Sequence, residues 1–336
     1  MNKQKEANYL GIVFIGVIVA ELLASTLLGV LTRAGVELPT ICHTIIAELA
    51  ILLPVFIFIK IKKEKFFGSF GFHKIKVSTF FLTILLAIVT APIGYFANVV
   101  SQFFVPNTMV QLADGLAESS VLGTMITTAV VAPLVEEMVL RGFFFKRLNK
   151  LTSVVVAAAI SGLLFGLVHL NLNQFCYAFA LGFIFAIANF ASGSLWTSII
   201  MHAWFNFWNI SLMLFMNWAY KMNDMNLSDA AENVRANSSQ MYITAIVLFF
   251  IAIGCAFLVK LILRAIAKRQ GNLEAFDRVF NKKKVAAAAV PQEEATEAVS
   301  EVAANEEKVR CFFNIPMLIG VIIAVGTIIA FDFLGV

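Results

Sequence analysis

Nine stretches of this chain are long and apolar enough to cross a bilayer, which restricts the fold more than any other feature. A span needs about 20 mostly apolar residues. Such runs lie at 9–31, 41–60, 78–104, 121–141, 154–170, 174–191, 195–216, 242–264 and 315–334. In hydrocarbon every backbone N–H and C=O must find a partner inside the protein, so runs of this kind fold as helices. The expected class is all-α: a polytopic transmembrane helical bundle. Only 14% of the residues are charged, against about a quarter in soluble domains. The fifth and sixth runs are the shortest and are joined only by Asn171, Leu172 and Asn173. An incomplete crossing is expected there if anywhere.

The charges sort by loop. Lys60, Lys62, Lys63, Lys65, Lys74 and Lys76 follow the second run, and Lys146, Arg147 and Lys150 follow the fourth. Lys268, Arg269 and Lys282 to Lys284 follow the eighth, whereas the loop with Asp114 and Glu118 is acidic. This alternation puts the N-terminus in the cytoplasm and the C-terminus outside. The net charge of +4 therefore reports topology, and no nucleic-acid partner is implied. The run from Tyr9 to Leu31 exceeds a signal-peptide core of about 7–15 residues, so it is read as a retained span. Cys42, Cys176, Cys255 and Cys311 have no paired spacing, which supports neither a disulfide framework nor a zinc ribbon.

Three parts follow. Residues 1–264 form a membrane-embedded domain. Residues 265–314 form a polar linker in which Ile266, Leu273, Phe276, Val279 and Phe280 suit an interfacial amphipathic helix. Residues 315–336 form a last transmembrane helix.

Ionisable groups deep in such runs cost several kcal/mol and are rare unless they pair or do work. The segment 121–216 holds three sets of them: Glu136-Glu137 with Arg141, Phe165 with His169, and His202 with Asn206. Glu137 and Arg141 are four apart with the acid first, the favourable order for an ion pair. Glu136 is rotated by about 100° from Glu137 and is left for chemistry. Pro133 just upstream predicts a local kink. Gly162 and Gly166 form a step that lets another helix approach closely. If the fourth and fifth runs form an antiparallel hairpin turning near residue 152, Glu136 and His169 sit at one depth. His202 and Asn206 share a face and read as a donor pair for a developing oxyanion. The bland alternatives are a helix end with interfacial charges for the first set and polar interhelical contacts for the other two. Ser198 precedes His202 by four residues, but a serine bonding back to its own helix is the commoner case. Glu21, His43 and Glu48 are read as structural or interfacial. No H-E-x-x-H, G-x-S-x-G or Walker-type loop is present.

Together, in this order, these residues resemble the CAAX-protease and bacteriocin-processing family of type II CAAX prenyl endopeptidase-like intramembrane proteases. Its pattern is E-E-x-x-x-R, F-x-x-x-H, then H-x-x-x-N or D. The resemblance covers roughly 78–220. It implies an eight-helix protease core reached from the cytoplasmic side, with the ninth span as an addition. It also implies an endopeptidase acting on membrane-associated peptides or proteins in the lipid bilayer. Glu136 is expected to activate a water held with His169, His202 and Asn206 to bind the oxyanion, and Glu137 with Arg141 to fix the helix. No cofactor is firmly implied, and zinc is the alternative. A proton-coupled transporter using Glu136, His169 and His202, or a non-catalytic scaffold of the same fold, stands as the competing reading.

Overall fold

A computed structural model describes residues 3–36, 38–111, 113, 120–281 and 314–334. Among them there is no strand, and the protein is an all-α polytopic bundle. Its main helices are α1 (Lys3–Arg33), α2 (Thr40–Ile61), α3 (Val77–Gln102), α4 (Val121–Leu151), α5 (Val154–Leu167) and α6 (Leu172–Ser192). They continue with α7 (Leu195–Lys221), α8 (Leu227–Ala236), α9 (Ser238–Gln270), α10 (Leu273–Phe280) and α11 (Ile315–Leu334). Eight of the described helices are long and apolar enough to span. The fifth apolar run does not reach that length: α5 has 14 residues, about 21 Å at 1.5 Å each. Its chain turns at Val168–Asn171, where Leu170 adopts a left-handed φ of 53°, and the Asn171 side chain then caps α6 by accepting from Gln174 N.

The basic loops gather at one end of the bundle. His73 Nδ1 meets the Gly193 carbonyl at 2.8 Å, Lys76 Nζ donates to Arg269 O at 2.6 Å, and Lys146 Nζ donates to Ser69 O at 3.1 Å. Arg147 binds Glu64 at 2.5 Å. Burial alone would raise the Glu64 carboxyl, but the Arg147 hydrogen bond and charge, helped by Ser69, hold it below its ordinary value. At the opposite end, Asn173 Oδ1 accepts from Thr108 N, and Arg235 Nε on α8 donates to Gln102 O at the end of α3 at 3.0 Å.

Helix α4 contributes an unbroken buried stretch, Met138 to Phe145, to the core. Phe143, Phe144 and Leu140 are fully buried, with Phe14 of α1 edge-on to Phe144 and Phe58 of α2 edge-on to Phe143. Its regular turns are interrupted. Wider π turns occupy Thr127–Val131 and Met138–Phe145, with a single α-helical stretch, Ala132–Glu137, between them.

Of the polar stretch after residue 264, the first part continues α9 to Gln270 and then forms α10, where Arg264 grips Asp277 through two hydrogen bonds. The rest of that expected linker, 282–313, lies outside the described residues, as do Asp114, Glu118 and Cys311. Helix α11 returns alongside α1. Asn314 Nδ2 donates to Ala7 O at 3.0 Å, and near the other end Asp332 Oδ2 accepts from Leu172 N at 2.5 Å, at the first turn of α6.

Candidate active site

The two glutamates sit in the short α-helical stretch between the π turns, and their environments differ. Glu137 and Arg141 are 0% exposed, and Arg141 Nη1 donates to Glu137 Oε1 at 2.6 Å. The guanidinium lies over the Phe165 ring at 4.3 Å and near Phe185 at 5.4 Å, so its charge is held by one carboxylate and two aromatic faces. Space for it depends on Gly182 of α6: a Cβ there would lie 2.7 Å from Arg141 Nη2 and 3.1 Å from the Gly162 Cα. The glycine step at Gly162 and Gly166 thus brings α6 against α5, and the guanidinium fits beside that contact.

Glu136 is partly open to a cavity of about 520 Å³ that Phe165, His169, His202 and Asn206 also line. His169 Nδ1 donates to the Phe165 carbonyl at 2.8 Å. A carbonyl only accepts, so the neutral ring carries its proton on Nδ1 and Nε2 is left as an acceptor. His169 comes from the turn after α5 rather than from the helix itself.

His202 and Asn206 do not form the free donor pair expected from their spacing. His202 Nδ1 donates to Glu137 Oε1 at 3.1 Å, and its Nε2 lies 3.5 Å from Glu136 Oε2. The imidazole therefore bridges the two carboxylates, packed between the rings of Phe165 and Phe185. Asn206 Nδ2 donates to the Thr128 carbonyl at 2.9 Å. That carbonyl lacks a helical partner for a local reason. Ala132 N–H, four residues on, bonds to Thr127 instead, and the residue five on is Pro133, which has no N–H. Asn206 fills the vacancy with one of its two amide hydrogens. The kink expected at Pro133 is realised as this π turn and its cross-helix strap.

Ser198 Oγ donates to the Leu195 carbonyl while His202 faces the glutamates, so no Ser–His pair forms. Glu48 is buried rather than interfacial. Glu21 and Glu48 both lie within electrostatic reach of Glu136, and each has one carboxylate oxygen with no partner among the described residues.

Zinc would need three or four His, Cys or carboxylate ligands around one point. Among the described residues no group of three such side chains is arranged to hold a metal ion. Glu137 Oε1 is already engaged by Arg141 and His202. The donor set does not fit zinc.

Residues 118–208, which contain all three motifs, match the family model described as type II CAAX prenyl endopeptidase Rce1-like. The likeness to that family is confined to this segment, less than a third of the chain. A curated protein of Bacillus subtilis (strain 168), described as "Putative membrane peptidase YdiL", is 30% identical over 90 residues. That stretch is 27% of this chain and 37% of the relative, so the match spans little more than a third of that protein. No solved structure matches the chain. The family segment ends within α7, so α8 to α11 lie outside it.

Some contributors to the site were not singled out in the sequence. Asn98, Gln102, Asn107, Gln174 and Asn209 line the cavity with neutral amides. Their signal was there to read: amides recurring at helical spacing, as at Asn98 and Gln102 or Asn206 and Asn209, inside otherwise apolar runs.

Proposed function

We propose that this protein is an intramembrane endopeptidase that hydrolyses membrane-associated peptides, with Glu136 activating the attacking water. One observation carries the reading: of two adjacent glutamates, Glu137 is locked by Arg141 and His202, while Glu136 faces a cavity together with His169. Adjacent carboxylates in such different settings divide between structural and chemical work.

The water donates one hydrogen bond to Glu136 and the other to His169 Nε2, which leaves its lone pair aimed at the scissile carbonyl. Glu136 takes the proton as the C–O bond forms and returns it to the amide nitrogen as the C–N bond breaks. His202 Nε2 sits 3.5 Å from the Glu136 carboxylate and the ring is anchored on Glu137, so Arg141 acts at one remove as a positioning residue. The second amide hydrogen of Asn206 is the donor available to the oxyanion.

Glu136→Gln keeps the volume and removes the base. Peptide cleavage by the purified variant should fall by about 10²–10⁴-fold with the melting temperature nearly unchanged, and wild-type turnover would reject the assignment. A parallel proton-flux measurement in liposomes separates this reading from transport. Flux that depends on Glu136, without cleavage, would favour the transporter.

A further inference from the structure

The cavity is not centred along the bundle. On α3 it touches Asn98 and Gln102, near the end remote from Lys76. On α4 it touches Thr128 to Glu136 and stops well before Lys146, and beyond the helices it continues to Asn107 and to Ala231 of α8. From Glu136 it therefore runs away from the end where Lys63, Lys76, Lys146 and Arg269 collect. By the positive-inside rule the basic end is cytoplasmic. The family resemblance implies access from that same side, and the cavity of this chain departs from it.

The lining has a second property. Among the described residues no Lys, Arg or Asp lines it, and Glu136 and the two histidines are the charge-bearing groups there apart from tyrosine. The remaining surface is amides with methionine, leucine and aromatic side chains. Amide side chains offer a donor and an acceptor each, as an extended peptide backbone requires, and the apolar walls suit uncharged side chains. A carboxylate buried there would face Glu136 and meet no Lys or Arg among the described residues. The volume, about 520 Å³, is in the range that encloses a small ligand or a short stretch of peptide.

We infer that the substrate is an extended peptide segment without acidic side chains, presented from the extracytoplasmic face, entering beside α8 and threading between the amides to Glu136. The hydrolysis of that segment rests on the peptidase reading; the side of access does not.

Two measurements test the two parts. For access, single-cysteine variants Ala231→Cys, Met213→Cys and Lys150→Cys are built in a chain with Cys42, Cys176, Cys255 and Cys311 replaced by serine. They are treated with a membrane-impermeant maleimide in intact cells and in inside-out vesicles. Ala231→Cys at the mouth and Met213→Cys on the wall should label in intact cells, and Lys150→Cys only in inside-out vesicles. Labelling of the two cavity positions from the Lys150 side alone would overturn the route.

For substrate class, quenched-fluorescent decapeptide libraries are offered to the protein in detergent, where both faces are open. One library is neutral and the other carries a central aspartate. The aspartate library should be cleaved about tenfold more slowly or worse, corresponding to about 1.4 kcal/mol or more. Equal rates would overturn the substrate class. Cleavage of neither library, with the labelling pattern intact, would sink the peptidase reading and leave the access route standing.

Discussion

Removing one member of the Glu137–Arg141 pair should be far more damaging than removing both, and unequally so. Arg141 is fully buried, and Glu137 Oε1 is its one hydrogen-bond partner among the described residues. Glu137→Gln therefore strands a cation against two aromatic faces, and breaking a buried pair in this way costs about 3–5 kcal/mol. Arg141→Met leaves the carboxylate with the His202 N–H at 3.1 Å. A hydrogen bond to a charged group is worth about 1.5–3 kcal/mol, so that loss should be the smaller, on the order of 1–3 kcal/mol. The double variant removes both charges and should recover much of the deficit, because an apolar replacement of a buried pair is often near neutral. At about 2–4 °C per kcal/mol, Glu137→Gln should lower the melting temperature by roughly 6–20 °C. The assay is thermal unfolding of the four proteins in one detergent, read as a double-mutant cycle. Additive shifts, or a larger loss for Arg141→Met than for Glu137→Gln, would refute the reasoning.

Other outcomes follow from single contacts. Gly182→Ala places a Cβ 2.7 Å from Arg141 Nη2 and should cost about 1–3 kcal/mol and lower cleavage. Gly254→Ala, with nothing within 4 Å of its added Cβ, should do neither, and equal effects on melting and activity would discount the close approach. Asn206→Leu leaves the Thr128 carbonyl unpaired, for about 1–3 kcal/mol, whereas in a Pro133→Ala background the restored N–H should shrink that loss. An undiminished loss in the double variant would show that Asn206 matters for another reason. Glu64, outside the spans, has its carboxyl held below the ordinary value by Arg147. Its stabilisation is thus complete above the unfolded value of about 4.3 and is lost as pH falls through the lower folded value. Melting curves against pH should show a shallower acid limb for Glu64→Gln, and an unchanged limb would remove Glu64 from the account.

The helical bundle was legible because hydrocarbon leaves the backbone no other option and sets the run length. The Glu137–Arg141 pair was legible because charges in such runs must be compensated, and four-residue spacing survives a local change of helix type. What could not be read was the consequence of that change. The π turns on either side of Ala132–Glu137 help set which neighbours the two glutamates face, and the approach of His202 to both of them across helices has no signature in local spacing. Pro133 announced a kink, but the orphaned carbonyl belongs to Thr128, and its partner lies 78 residues away in sequence. The end at which the cavity emerges was likewise invisible, since it depends on how six helices pack against one another.

Asp332 ties the turn that carries His169 to the timing of synthesis. The N–H it accepts from, that of Leu172, is made 160 residues earlier. At about 5–20 residues per second on the ribosome, that bond waits roughly 8–32 s for its acceptor. During that interval all three motifs already exist in the nascent chain, but the left-handed turn at Leu170 lacks one of the bonds that hold it. The site is therefore finished late, when α11 has inserted beside α1. A chain stalled before that point carries every motif residue while missing the contact that completes the turn around His169.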